Sequence, residues 1–158
     1  MRIGFGYDVH KLIKGTSMLL GGIKIPSKFS IKAHSDGDII LHACADAILG
    51  ALSLGDIGEH FPDSNTSNRN LDSSLIINKI LEEMNKLNYA INNIDITVVA
   101  QKPKLTNYKS QIIKNLLVIF SLDSKALNLK ATTTEELGYI GTSEGIACYA
   151  VVTLKKNE

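Results

Sequence analysis

The sequence predicts an α/β or α+β chain in which helices cover one sheet. Three observations carry this. Residues 92–101 alternate, with Ile94, Ile96, Val98 and Ala100 on one face, which is the period of a strand. Residues 39–52 are rich in Ala and Leu and almost uncharged, as in a helix buried on most sides. Strand-like and helix-like segments interleave along the whole chain. With 158 residues and no linker, repeat or low-complexity segment, residues 1–158 are expected to form one domain.

Taken in order, residues 1–7 read as a short strand. Residues 17–20 and 23–26 flank Gly21-Gly22, a hairpin signal. Residues 29–38 look polar and irregular, with Ser35-Asp36-Gly37-Asp38 as a turn and cap cluster. Asp38 or Asp36 then caps a helix running to about residue 54, and Gly55-Asp56-Ile57-Gly58 ends it. Residues 59–70 form a loop rich in Ser, Asn and Asp. A helix follows from about 72 to 87, with Leu75, Ile76, Ile80, Met84 and Leu87 near helical spacing.

Pro103 breaks the strand over 92–101. A third helix is expected over 106–120, with Tyr108, Ile112, Leu116 and Ile119 on its apolar stripe. Residues 127–131 read as a strand. Residues 132–145 form a connection with one helical turn near Glu135. The last strand, 146–154, has Ile146, Cys148, Ala150, Val152 and Leu154 on one face and Tyr149 and Val151 on the other.

The balance of 17 Lys and Arg against 16 Asp and Glu leaves a net charge of +1, which gives no electrostatic case for nucleic acid or an anionic membrane. No apolar run approaches the roughly 20 residues of a membrane span. The first residues read as a strand, with no signal peptide visible. Cys44 and Cys148 lie in apolar runs outside any CxxC pair. Both are expected to be buried free thiols in a reducing compartment, which argues against a thiolate zinc site.

Asp8 and His10 are two apart, so strand geometry puts them on one face. His42 sits one turn into the buried helix, and Asp46 follows four residues later on the same side. Two imidazoles and a carboxylate suit zinc or a similar ion that keeps an open position. Asp46, or a backbone carbonyl, is a candidate to orient a ligating histidine. A plain core role remains open for His42, because a lone histidine on an apolar helix is more often a satisfied core residue.

His34-Ser35 precedes the capped helix, where an anion or a simple cap would both fit. Asp56, between Gly55 and Gly58, suits a turn or the diol of a sugar. Phe61-Pro62-Asp63 suits a substrate lid or an ordinary turn. Thr132-Thr133-Thr134-Glu135 offers hydroxyls and backbone N–H groups to a phosphate and a carboxylate to a hard cation. The same run would also serve as a hydroxyl turn capping a short helix, with Glu135 in its first turn. Together these features point to phosphoryl transfer with divalent metals.

The chain resembles the 2-C-methyl-D-erythritol 2,4-cyclodiphosphate synthases of the non-mevalonate isoprenoid (terpenoid) pathway. The matching runs are Met1-Arg-Ile-Gly4, Gly6-Tyr-Asp-Val-His10, Ala33-His-Ser-Asp-Gly-Asp38, Leu41-His42, Leu54-Gly-Asp-Ile-Gly58, Phe61-Pro-Asp63, Ala100-Gln101 with Pro103-Lys104, Lys130-Ala-Thr-Thr-Thr-Glu135 and Glu144-Gly-Ile-Ala-Cys148. They span nearly the whole chain in order.

The resemblance implies an α+β sandwich. A single mixed four-stranded sheet would be covered on one side by helices, with a small N-terminal hairpin and sheets packing together in a homotrimer. It implies a phosphorus-oxygen lyase whose active sites lie at subunit interfaces. The 2-phosphate of 4-diphosphocytidyl-2-C-methyl-D-erythritol 2-phosphate attacks the β-phosphorus of its own diphosphate, CMP leaves, and a cyclic diphosphate forms.

By the same resemblance, Asp8, His10 and His42 bind zinc, and Glu135 binds magnesium or manganese. His34 and Thr133 stabilise the transferring group. Ser35, Asp56, Ile57 and Gly58 hold substrate, and Phe61, Pro62, Asp63, Ser64 and Asn65 contact its methylerythritol phosphate end. Ala100, Gln101, Lys102, Pro103, Lys104, Leu105 and Thr106, with Thr132 and Thr134, hold the cytidine and its phosphates. Tyr139 and Thr142 are further substrate contacts. The implied place is the cytoplasm of a bacterium, or a plastid stroma.

Two positions depart from the family. Members often have Arg where this chain has Thr142 and Glu where it has Tyr149. There the pair is associated with an isoprenoid diphosphate in a central trimer cavity, so such binding is expected to be weakened or lost here. Two other readings stand beside the synthase: a metal-dependent phosphohydrolase activating water, and a binding module with a structural metal. The second expects a fourth protein ligand, and the sequence supplies no clear one.

Overall fold

A computed structural model describes residues 1–62, 64–65 and 71–157. Strand β1 (Arg2–Lys14) is followed by β2 (Ser17–Leu20), β3 (Ile23–Pro26) and β4 (Phe29–Lys32). Helices α1 (Ile39–Leu52), α2 (Ile57–His60) and α3 (Ser73–Lys86) come next. Then follow β5 (Tyr89–Val99), α4 (Lys109–Ile119), β6 (Leu127–Thr132), α5 (Gly138–Gly141) and β7 (Gly145–Lys156). One mixed sheet runs β4-β1-β7-β5-β6, and β2-β3 form a separate hairpin. Only β5 and β6 are parallel, joined through α4.

The α+β architecture is as expected, with one strand more in the sheet. The added strand, β4, lies in the stretch read as irregular and pairs with the far end of β1. It is four residues long and only partly buried, so it carries little alternation. Strand β1 is also longer than read, because Asp8 and His10 interrupt its apolar pattern without interrupting its pairing to β7.

Helix α1 is almost wholly enclosed, from Ile39 to Leu52. It sits on β1 at backbone contact. A Cβ on Gly4 would lie 1.8 Å from the Ala47 carbonyl oxygen, and one on Gly6 would lie 1.9 Å from that of Ala43. Glycines on the strand and alanines on the helix together allow that approach. Of the two candidate caps, Asp38 is the one used. Its buried carboxylate accepts from the Ile40 and Leu41 N–H groups and from those of Gly21 and Gly22 in the hairpin turn. One side chain thus starts the helix and ties the hairpin to it.

Helix α3 buries Ser73, Ile76, Ile77, Ile80 and Met84. Leu75 and Leu87, read as part of its stripe, are about half exposed, at 51% and 46%. The buried positions follow i, i+3, i+4, i+7, so Ser73 and Ile77 set the phase. The helical turn expected near Glu135 is α5, three residues later. Glu135 and Glu136 instead adopt left-handed backbone, with φ 52° and 64°.

Candidate metal centre and substrate pockets

On β1, the even-numbered residues Gly4, Gly6, Asp8, His10 and Leu12 face the helices. Helix α1 presents His42 to the same spot. The Asp8 Oδ2 lies 3.1 Å from His10 Nε2 and 3.1 Å from His42 Nδ1, and the two ring nitrogens are 3.5 Å apart. The three ligand atoms lie within 4.8 Å of one another, the only such cluster among the described residues. Two imidazoles and one carboxylate converging on one point fit a divalent ion with an open position.

Burial pushes the Asp8 carboxyl up, but hydrogen bonds from His10 and His42 outweigh it and hold it well below the usual carboxylate range. Burial likewise pushes His42 down, while the hydrogen bond to Asp8 and its charge raise it further. The cluster therefore favours a positive charge between its members.

Far from Asp8, the His42 Nε2 faces the Ser73 Oγ at 2.9 Å and the Ser35 Oγ at 3.3 Å. Asp46 bonds neither histidine. Its Oδ1 accepts from the Ile57 N–H at 2.8 Å, so it holds the start of α2 against α1, and the groups in contact with the His42 ring on this side are the two serines. Ser73 was not singled out by sequence. Asp72-Ser73-Ser74 reads as nothing more than a helix start, and only the fold brings it 31 residues back to His42.

The metal cluster opens into a pocket lined also by His34, Ser35, Ile57, Gly58, Phe61, Pro62, Leu71 and Ile76. Asp56 caps α2, accepting from the Glu59 N–H at 2.9 Å. Ser64 and Asn65 are exposed in the turn beyond Pro62. Asp63 lies outside the described residues.

A second pocket lies between the end of β5 and β6, lined by Val98, Ala100, Gln101, Pro103, Lys104, Leu105, Thr106, Ala131, Thr132 and Thr133. Lys102 is exposed and outside this lining. The Gln101 Oε1 is buried with no hydrogen-bond partner among the described residues, an acceptor left for a ligand's donor. Beside the pocket, the Thr133 hydroxyl donates to Glu135 Oε1 at 3.1 Å, and the Thr134 hydroxyl donates to the Leu137 carbonyl at 2.7 Å. The Glu135 N–H donates back to the Thr133 hydroxyl at 3.2 Å, so the hydroxyls hold a turn that brings the Glu135 carboxylate back over Thr133. They do not cap a helix, since α5 starts at Gly138 with no side-chain cap.

The two pockets sit in one row of the sheet. Asp8 pairs with Cys148, Cys148 with Val98, and Val98 with Ala131. Three interstrand steps separate the row's ends, roughly 14 Å. On the opposite face of the sheet, Ile3, Phe5, Tyr7, Val9, Tyr149 and Val151 are all exposed. Tyr139 belongs to that side: its hydroxyl lies 3.3 Å from that of Tyr7, away from both pockets. The Thr142 hydroxyl donates to Glu144 at 2.9 Å.

The YgbB family model matches residues 1–155 of this chain. The chain belongs to the YgbB family. A 2-C-methyl-D-erythritol 2,4-cyclodiphosphate synthase of Carboxydothermus hydrogenoformans is 46% identical over 156 residues, covering 99% of this chain and 96% of that protein. The synthase of Fusobacterium nucleatum is 46% identical over 158 residues, covering 100% and 99%. The bifunctional IspDF of Campylobacter jejuni superimposes with a TM-score of 0.93 at 41% identity, covering 99% of this chain and 42% of that longer one. The Plasmodium falciparum IspF, solved as a CDP complex, gives 0.88 at 39%, covering 99% and 97%.

This YgbB member is thus an enzyme of the cyclodiphosphate synthase type, a lyase of isoprenoid biosynthesis. No helix among the described residues is long and apolar enough to cross a membrane.

Proposed function

We propose that this chain cyclises 4-diphosphocytidyl-2-C-methyl-D-erythritol 2-phosphate to the 2,4-cyclodiphosphate. An oxygen of the 2-phosphate bonds to the β-phosphorus, the bond from that phosphorus to the bridging oxygen breaks, and CMP leaves with the electron pair. The nucleophile is already ionised, so the protein supplies no general base. Its work is orientation, worth up to roughly 7–11 kcal/mol when reactants are well held, and charge neutralisation.

The observation that carries this reading is the pair of pockets. Asp8, His10 and His42 hold zinc or a similar ion, which supplies positive charge for phosphate oxygens. His34, which lines the same pocket, and Thr133 stabilise the transferring group, and Ser35 beside His34 binds substrate. Asp56, Ile57 and Gly58 take the substrate hydroxyls, and residues 61–65 take the methylerythritol phosphate end. Residues 100–106 and Thr132 to Thr134 take the cytidine and its phosphates. Glu135 would hold magnesium or manganese, which would supply further positive charge for the substrate phosphates. The CDP complexes of the Plasmodium falciparum protein and of another synthase support a cytidine site.

One phosphorus cannot touch both ends of a row roughly 14 Å long. The metal pocket of one copy is therefore completed by the Thr133 and Glu135 side of another, in a homotrimer. The apolar residues on the outer face of β1 and β7 supply the surface that such packing buries. Residues 1–158 act as one domain in this assembly. The bacterial relatives support a bacterial cytoplasmic setting.

Incubating the protein with the cytidyl substrate and magnesium should release CMP and the cyclic diphosphate in equal amounts. CMP accompanied by an open-chain phosphate would instead favour a hydrolase that activates water.

A further inference from the structure

The ring of His42 touches three hydroxyl or carboxylate groups, and each contact restricts the next. Ser73 is wholly buried at the first turn of α3. Its hydroxyl donates to Asp36 Oδ1. Asp36 is held in turn, because its Oδ2 accepts the Ser73 N–H at 2.9 Å and its Oδ1 accepts the Asp38 N–H at 3.1 Å. A hydroxyl has one proton. Once that proton goes to Asp36, the Ser73 oxygen can only accept from His42 Nε2, 2.9 Å away. The reverse assignment would leave two oxygens in close contact with no proton between them.

We infer that Asp36 and Ser73 form a relay that fixes the tautomer and ring angle of His42, so that Nδ1 presents its lone pair to the metal. The relay rests on the metal reading of Asp8, His10 and His42. Neither Asp36 nor Ser73 touches the ligand position, so both are positioning residues. They also lie on separate segments, the loop before α1 and the first turn of α3. The relay therefore links the α3 start to the metal ligand. Groups that orient a ligating histidine in this way typically contribute ten- to hundredfold in metal affinity.

The test is zinc affinity of the metal-free protein, by competition with a chromophoric chelator. The unmodified protein should bind tightly and His42→Ala should not; if these two bind alike, the metal reading itself fails. Given that control, Ser73→Ala should weaken zinc ten- to hundredfold and Ser73→Thr should restore part of the loss. Asp36→Asn should weaken zinc on its own and add nothing to Ser73→Ala, because it acts through that hydroxyl. A packing role alone would lower the melting temperature and leave affinity within twofold, and that result overturns the relay. If Ser73→Ala does not fold, Asp36→Asn decides: unchanged zinc affinity overturns the inference, and weakened affinity supports it.

Discussion

His42 Nδ1 stands 3.1 Å from Asp8 Oδ2, although 34 residues separate them in sequence. That distance is set by the seating of α1 on β1, and the seating is set by two glycines. The candidate metal centre is therefore a direct product of helix–sheet packing.

Gly6→Ala tests that dependence. Its new Cβ would fall 1.9 Å from the Ala43 carbonyl oxygen, which is backbone and cannot swing aside. The helix must lift. Overpacking of this kind typically costs about 1–3 kcal/mol. Denaturant unfolding should show a loss at or above that range, and zinc affinity should fall with it, because His42 moves away from Asp8.

Asp38→Asn should destabilise by about 2–3 kcal/mol, the scale for losing buried hydrogen bonds to a charged acceptor. Its carboxylate serves four N–H donors, two in the hairpin turn and two in α1. An amide turns one acceptor into a donor facing donors. Chemical unfolding monitored by circular dichroism reads this directly.

The thiols should be inert. Burial pushes both Cys44 and Cys148 well up, with nearby Asp38 adding to each. At pH 8 a disulfide reagent should label neither in the native protein and both in denaturant. Folding raises these pKa values, so the associated stability is full below the unfolded thiol pKa of roughly 8.5 and is lost as pH rises above it. The unfolding midpoint should drop above about pH 9, and less steeply in Cys44→Ala.

The inter-subunit site predicts complementation. His42→Ala damages only the metal side and Glu135→Gln only the other. Each alone should be nearly inactive. Subunits mixed in equal amounts, unfolded and refolded together, should recover activity, since about a quarter of random interfaces pair two intact halves. No recovery would place the whole site within one chain.

Much of this was legible in the sequence for physical reasons. The strand over β5, the buried α1 and both faces of β7 follow from periodicity. The metal trio follows from strand spacing and helix position, and motif context along the chain gave it a role. What stayed hidden was long-range or weakly patterned. The edge strand β4 has three half-buried residues, one exposed residue and no alternation. The phase of α3 depends on Ser73, a polar residue buried for a partner elsewhere. Asp46 sits one helical turn from His42, yet its carboxylate is taken by the Ile57 N–H. Sequence spacing showed it near His42 but could not show that the N–H at the start of α2 lay closer.

The most direct measurement is the zinc content and CMP-releasing activity of His42→Ala beside the unmodified protein. The expected result is a folded variant that has lost both zinc and turnover by several orders of magnitude. A folded variant with unchanged metal content and activity would contradict the site at its centre.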